Sequence, residues 1–140
     1  MGELNNLTWI DLSVNDIHGA MPAEFGRIMN IEVLNMGYNK LSGQLPDTLG
    51  EINSNGAAHL HEFNFYDNRL QGTLPSSLAQ LSAIRMLNLA HNNISGSIPP
   101  EWVNFSSLQA PRPRRDRGFG RSVTGVCPCD ASPIVGAVRQ

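Results

Sequence analysis

Cysteine is almost absent: there are two in 140 residues, Cys127 and Cys129, separated by one proline near the C-terminal end. Two thiols that close together make no disulfide framework, so a fold here must rest on an apolar core, and the redox compartment stays open. Long hydrophobic runs are missing as well. Nothing approaches the roughly 18–20 apolar residues that cross a bilayer, and residues 1–10 carry neither a basic leader nor an apolar targeting stretch. Charged residues make up only 16%, with a net charge of −2. That near balance conceals two unlike segments, because residues 1–108 hold ten acidic and four basic side chains while 109–140 hold six arginines and two aspartates.

What the chain has instead is repetition. Asn15, Asn39, Asn68 and Asn92 stand 24, 29 and 24 positions apart. Each is followed at fixed offsets by an aliphatic residue, a glycine and a proline: Ile17, Gly19, Pro22; Leu41, Gly43, Pro46; Leu70, Gly72, Pro75; Ile94, Gly96, Pro99. Upstream, apolar residues keep the same register: Leu7, Ile10, Leu12; Ile31, Leu34, Met36; Leu60, Phe63, Phe65; Ile84, Leu87, Leu89. The shared pattern is LxxLxLxxN. The longer interval is a 24-residue unit with a short polar insertion at 53–59, whose composition marks a loop. A fifth unit begins at Phe105 and Leu108 and gives way to Ala-Pro-Arg-Pro-Arg-Arg. The array is therefore expected to span 1–108, and the Arg/Pro/Gly-rich segment 109–140 to be a disordered tail.

Period-two alternation in each LxLxx stretch predicts a short strand with Ile10 and Leu12 facing a core and Trp9, Asp11 and Ser13 facing away. One such strand cannot bury its apolar side alone, whereas copies stacked at about 4.8 Å in a parallel sheet form a continuous apolar column. Each ladder asparagine is expected to turn inward and satisfy backbone groups of the turning chain. The following glycine permits a left-handed bend, and the proline ends any strand before short convex turns at Ala23–Gly26 and Ser76–Ala79. The fold class expected is an α/β-type repeat solenoid.

Leu-Ser-Gly-Gln-Leu-Pro at 41–46, Leu-Gln-Gly-Thr-Leu-Pro at 70–75 and Ile-Ser-Gly-Ser-Ile-Pro at 94–99 resemble the LxGxIP signature of plant-specific leucine-rich repeats. Over residues 2 to 108 the chain is similar to ectodomains of plant receptor-like kinases and receptor-like proteins, or to polygalacturonase-inhibiting proteins. The resemblance implies a horseshoe segment with a parallel β-sheet on its concave face and loops or 3-10 turns on the convex one. It also implies a non-catalytic, glycosylated module at the cell surface, recognising a protein or peptide ligand, a co-receptor or a cell-wall-derived molecule in signalling or defence. The cysteine-flanked caps of that family have no counterpart at Gly2-Glu3-Leu4 or after Leu108, so the chain reads as a piece of a longer receptor-like protein.

The outward strand positions form three columns: Trp9, Val33, Glu62, Met86; Asp11, Asn35, Asn64, Asn88; and Ser13, Gly37, Tyr66, Ala90. Ligand contact is expected on this face at Trp9, Asp11, Ser13, Val33, Asn35, Glu62, Asn64, Tyr66, Met86 and Asn88. Trp9, Tyr66 and Met86 lead, being of the residue types enriched in interface cores. The alternative is that these are ordinary solvated strand residues. Four strands of three outward residues project about 200 Å², against about 800 Å² per partner in a stable complex. Residues 1–108 alone are thus expected to hold part of a site and to bind no ligand tightly.

Other chemistries find less support. His59, His61 and Glu62 invite a metal, with His91 on the next strand, but His61 opens its strand and His91 closes its own, about 20 Å along, far outside zinc-ligand convergence. A flanking ladder of Glu32, His61 and Arg85, with Asp67 beside His91, is the expected arrangement. Ser13 and Asp11 lie three strands from His91, beyond the reach of a nucleophile and base, so neither an enzyme nor a cofactor is expected. The sequons at Asn6, Asn93 and Asn104 are glycosylation acceptors if the chain is secreted. Residues 111–121, with Phe119 among arginines, could be a nucleic-acid arm, but a solvated tail fits the short unrepeated pattern better. A remnant without independent function also stays open, since uncapped ends would expose Leu4, Leu7, Phe105 and Leu108.

Overall fold

The computed structural model describes residues 6–52 and 59–104. Each repeat contributes one strand to each of two parallel sheets and then one 3-10 turn. Strands β1 (Trp9–Asp11), β3 (Val33–Asn35), β5 (Glu62–Asn64) and β7 (Met86–Asn88) form the first sheet in the order β1-β3-β5-β7. Its register follows the sequence repeat: Ile10 pairs with Leu34, Leu34 with Phe63 and Phe63 with Leu87, a buried column one residue wide.

Strands β2 (His18–Ala20), β4 (Lys40–Gly43), β6 (Arg69–Gly72) and β8 (Asn93–Ile94) form a second parallel sheet that the repeat pattern did not announce. These strands fit between the asparagine and the proline of each repeat. At two to four residues they are too short to display an alternation of their own. Strands β4 and β6 end at the glycine four positions after the asparagine, where φ of +75° at Gly43 and +82° at Gly72 turns the chain away.

The 3-10 helices η1 (Ala23–Arg27), η2 (Asp47–Glu51), η3 (Ser76–Gln80) and η4 (Pro100–Asn104) close the back of the stack. Pro22, Pro46 and Pro75 precede the first three with φ between −65° and −70°, which presets the turn. Each helix sends one large apolar side chain inward: Phe25, Leu49, Leu78 and Trp102. The buried indole of Trp102 donates its Nε1–H to the Pro75 carbonyl at 3.2 Å, so its one polar atom is satisfied. Gly26 and Gly50, which lie outside the LxGxIP signature, sit where adjacent helices meet. A Cβ on Gly26 would lie 2.1 Å from the Thr48 carbonyl oxygen, and one on Gly50 2.2 Å from that of Ser77. Between the two layers, stacked Phe63 and Phe65 (centroids 4.5 Å apart) fill the middle of the core.

Candidate functional site

The free face of the first sheet is held in shape by the ladder asparagines beneath its C-terminal end. Asn39 Nδ2 donates to the Leu12, Met36 and Gly37 carbonyls at 2.9, 3.1 and 3.2 Å, and its Oδ1 accepts from Ile17 N at 3.0 Å. Asn68 repeats the set with Met36, Phe65 and Tyr66 as acceptors and Leu41 N as donor, and Asn92 does so with Phe65, Leu89 and Ala90 and Leu70 N. Every one of these three therefore joins its own turn to the preceding repeat. Asn15, expected inward like the others, is exposed, and its side chain donates to Leu12 O and Ser13 O of its own turn.

The residue before each ladder asparagine takes a left-handed backbone: Val14, Tyr38, Asp67 and His91, with φ between 53° and 56°. Non-glycine residues pay steric strain there. Inter-repeat hydrogen bonds hold the bend in place, from Val14 N to Gly37 O (3.0 Å), Tyr38 N to Tyr66 O (2.7 Å) and Asp67 N to Ala90 O (3.0 Å). These four positions make a fourth column beyond the three read from the sequence. Tyr38 and His91 belong to it, and period-two reasoning missed them because the strand pattern ends before the bend.

That bend assembles an aromatic run. The Tyr66 ring lies between Tyr38, at a centroid distance of 5.0 Å, and His91, at 4.8 Å. Gly37 and Ala90, both buried, flank Tyr66 in its own column, leaving room for its neighbours' rings to close over it. Burial first, then the nearby Tyr38 and Asp67 and a hydrogen bond with Tyr38, push the Tyr66 hydroxyl above its ordinary pKa. Trp9 stands at the other end of the face, 63% exposed, and Met86 is half-buried.

Val33 requires a correction. Expected in the outward first column, it is 2% exposed, since a short β-branched side chain in register between Trp9 and Glu62 is overshadowed from both sides. Glu62 and Ser13 are half-buried.

The second column is locked from within. Asp11 Oδ1 accepts from Ser13 N at 2.9 Å, Asn35 Oδ1 from Gly37 N at 3.1 Å, Asn64 Oδ1 from Tyr66 N at 3.1 Å and Asn88 Oδ1 from Ala90 N at 3.2 Å. Ser13 Oγ also donates to Asp11 Oδ1 at 2.6 Å and Asn35 Nδ2 to Asp11 Oδ2 at 3.2 Å. These bonds, that of the Ser13 hydroxyl foremost, hold the Asp11 carboxyl below its ordinary value.

The remaining sequence candidates fall into place around this face. Backbone bonds from His61 N to Glu32 O (3.0 Å) and Arg85 N to His61 O (2.9 Å) align Glu32, His61 and Arg85 in one row at the strand entrances. His61 thus sits at one end of the sheet and His91 at the other. Among the described residues no three histidine, cysteine, aspartate or glutamate side chains converge as a metal site. Sheet order puts Asp11 and Ser13 on the edge opposite the β7 strand that leads to His91. The ion pair among the described residues, Asp16 with Lys40, lies beside the second sheet instead. Asn6 and Asn93 are exposed. The side chain of Asn104, the segments 1–5, 53–58 and 105–140, and with them Leu4, Phe119, Cys127 and Cys129, lie outside the described residues. Among those described, no helix is long and apolar enough to cross a membrane.

Comparison with known proteins agrees with this geometry. The family model described as Leucine Rich Repeat matches residues 30–52, 59–81 and 83–105. Receptor-like protein 13 of Arabidopsis thaliana is 33% identical over 106 residues, covering 74% of this chain and 10% of that protein. Receptor-like protein EIX2 of Solanum lycopersicum is 30% identical over 122 residues, covering 74% of this chain and 12% of its own. The chain thus spans only about a tenth of the length of these relatives. Among solved structures, the leucine-rich repeat ectodomain of the Arabidopsis thaliana receptor kinase GASSHO1/SCHENGEN3, in complex with CASPARIAN STRIP INTEGRITY FACTOR 2, superposes with a TM-score of 0.71 at 38% identity, covering 78% of this chain and 12% of that one. The Arabidopsis receptor kinase HAESA, in complex with the peptide hormone IDA and the co-receptor SERK1, gives 0.69 at 29% identity, covering 77% and 17%.

Proposed function

We propose, since this chain belongs to the leucine-rich repeat family of plant receptor-like proteins, that its concave face is part of a recognition surface for a protein or peptide ligand at the cell surface. The observation that carries this reading is the aromatic run of Tyr38, Tyr66 and His91 beside the polar Asp11, Asn35, Asn64 and Asn88 column of the same sheet. Rigid aromatic side chains on a preformed sheet lose little conformational freedom on binding, and such residues dominate interface energetics. Trp9, Met86 and the Asp11 to Asn88 column surround the run as secondary contacts.

A face of about 200 Å² is small beside the roughly 800 Å² per partner of a standard interface. The repeats considered alone are therefore assigned a share of the binding energy, with affinity in the weak range. A random-peptide library displayed at high valency and selected against the immobilised chain tests the reading. Enriched clones should lose binding to a Trp9→Ala/Tyr38→Ala/Tyr66→Ala variant and keep it with Glu24→Ala/Gln80→Ala, which alters exposed residues of the convex helices. Enrichment that ignores the concave substitutions, or no enrichment, would overturn it.

A further inference from the structure

Asn64 and Asn88 combine two features that restrict what can lie against them. Their Oδ1 atoms are occupied by the N–H two residues on, which also fixes which end of each amide is which. Their Nδ2 groups donate to no protein group among the described residues. The two amides are in register on adjacent strands, one row or about 4.8 Å apart. The face here offers paired free donors, while each matching oxygen already has one of its two lone pairs engaged. Tyr66 and His91 follow Asn64 and Asn88 by two and three residues in the same rows, and Tyr38 stands beside Tyr66 from the neighbouring row.

From this juxtaposition we propose that the Asn64–Asn88 donor pair and the Tyr38–Tyr66–His91 run form a subsite for a proline-rich segment in the polyproline II conformation, laid across the strands along the solenoid axis. The proposal rests on the peptide-recognition reading above and narrows it to one ligand chemistry. A proline-rich backbone has carbonyl acceptors and few N–H donors, which complements a row of free donors whose oxygens are already partly engaged. Its ring faces pack on aromatic side chains, the usual mode of recognition for such segments. The repeat distances also agree, since three residues of polyproline II advance about 9.3 Å and two rows of the sheet about 9.6 Å. Prolines three apart would then meet equivalent points above the aromatic run, with intervening carbonyls over the amides. A sugar fits less well, because each hydroxyl asks for an acceptor as well as a donor.

Titration of the full chain with decaproline, followed by the side-chain NH2 signals of Asn64 and Asn88 in nitrogen-15 spectra, tests the proposal. A glycine-serine decapeptide and a galacturonic acid oligomer serve as comparison probes. Decaproline should shift both amide signals and the other two should not. Asn64→Asp/Asn88→Asp keeps an oxygen for the Tyr66 and Ala90 N–H groups while removing the donors. It should weaken decaproline at least tenfold with backbone spectra otherwise unchanged, and Tyr38→Ala should weaken it at least fivefold. Shifts caused by the sugar and not by decaproline, no shift with any probe, or decaproline binding indifferent to the Asp variants would each overturn the subsite. The library selection separates this from the broader reading: enriched peptides that need the concave face but carry no proline runs sink the subsite and leave peptide recognition standing.

Discussion

The side-chain amide of Asn39 donates to the carbonyl oxygen of Leu12, 2.9 Å away and 27 positions earlier in the chain, so a residue of one repeat closes the turn of the repeat before it. Asn39 is 9% exposed, and four backbone groups depend on it. Asn15 has the same place in its own repeat, but its side chain bonds only within its turn.

Asn39→Ala should therefore cost about 3 kcal/mol, because unsatisfied buried groups cost about 1–3 kcal/mol each and several are left here. Asn15→Ala should cost less than about 1 kcal/mol, its bonds being exposed and Leu12 O keeping its bond from Asn39. Urea unfolding of the full chain, followed by circular dichroism, compares the two. Equal losses would mean that the ladder bonds contribute nothing beyond local turn geometry.

Val14 holds a left-handed φ of 55° with its side chain 76% exposed. A β-branched residue gains nothing from packing there and bears the steric cost of that region, about 1–2 kcal/mol, which asparagine tolerates better. Val14→Asn should raise stability by about 1 kcal/mol, visible as a higher melting temperature. A lower one would show that the Val14 side chain makes a contribution its exposure does not suggest.

The glycines differ by what surrounds them. Gly26→Ala and Gly50→Ala drive a methyl into the Thr48 and Ser77 backbone, and each should cost more than about 2 kcal/mol. Gly19 has nothing within 4 Å of an added Cβ, so Gly19→Ala meets only the strain of φ +91°, about 1 kcal/mol. Thermal melts of the three single variants give the order, and a Gly19 variant as damaged as the other two would contradict it.

Acid sensitivity follows from two aspartates. The Ser13 hydroxyl and N–H hold the Asp11 carboxyl below its ordinary 3.8, and the bond and charge of Lys40 do the same for Asp16. A group whose folded value is depressed contributes stability that is complete above the ordinary value and is lost as pH falls through the folded one. Stability should hold from neutrality to about pH 4 and then decline, with a smaller decline in Asp11→Asn/Asp16→Asn. Urea midpoints at pH 7 and pH 3 for both proteins measure the difference. An unchanged decline in the variant would assign the acid response to other carboxyls.

Much of the fold was legible because a solenoid writes its geometry as a period. The spacing of Asn15, Asn39, Asn68 and Asn92, with the aliphatic residues before them, marked the first sheet, its parallel register and the inward asparagines at 39, 68 and 92. The LxGxIP segments marked the family, and the prolines announced the turns at Ala23 and Ser76. These features are local, or repeat at fixed offsets, so the chain states them without reference to its neighbours.

Other features arose only from contacts between rows. The second sheet depends on strands too short to alternate, the clash positions Gly26 and Gly50 on the approach of adjacent helices, and the burial of Val33 on the larger residues on either side. The candidate site belongs to the same group. Tyr66 stood in an outward column by count, but Tyr38 and His91 reach it only because a left-handed bend, held by bonds to the next repeat, carries them back over the sheet. Sequence periodicity determines which residues share a row; how neighbouring rows press on one another is a matter of distance in space, and only the tertiary structure decided it.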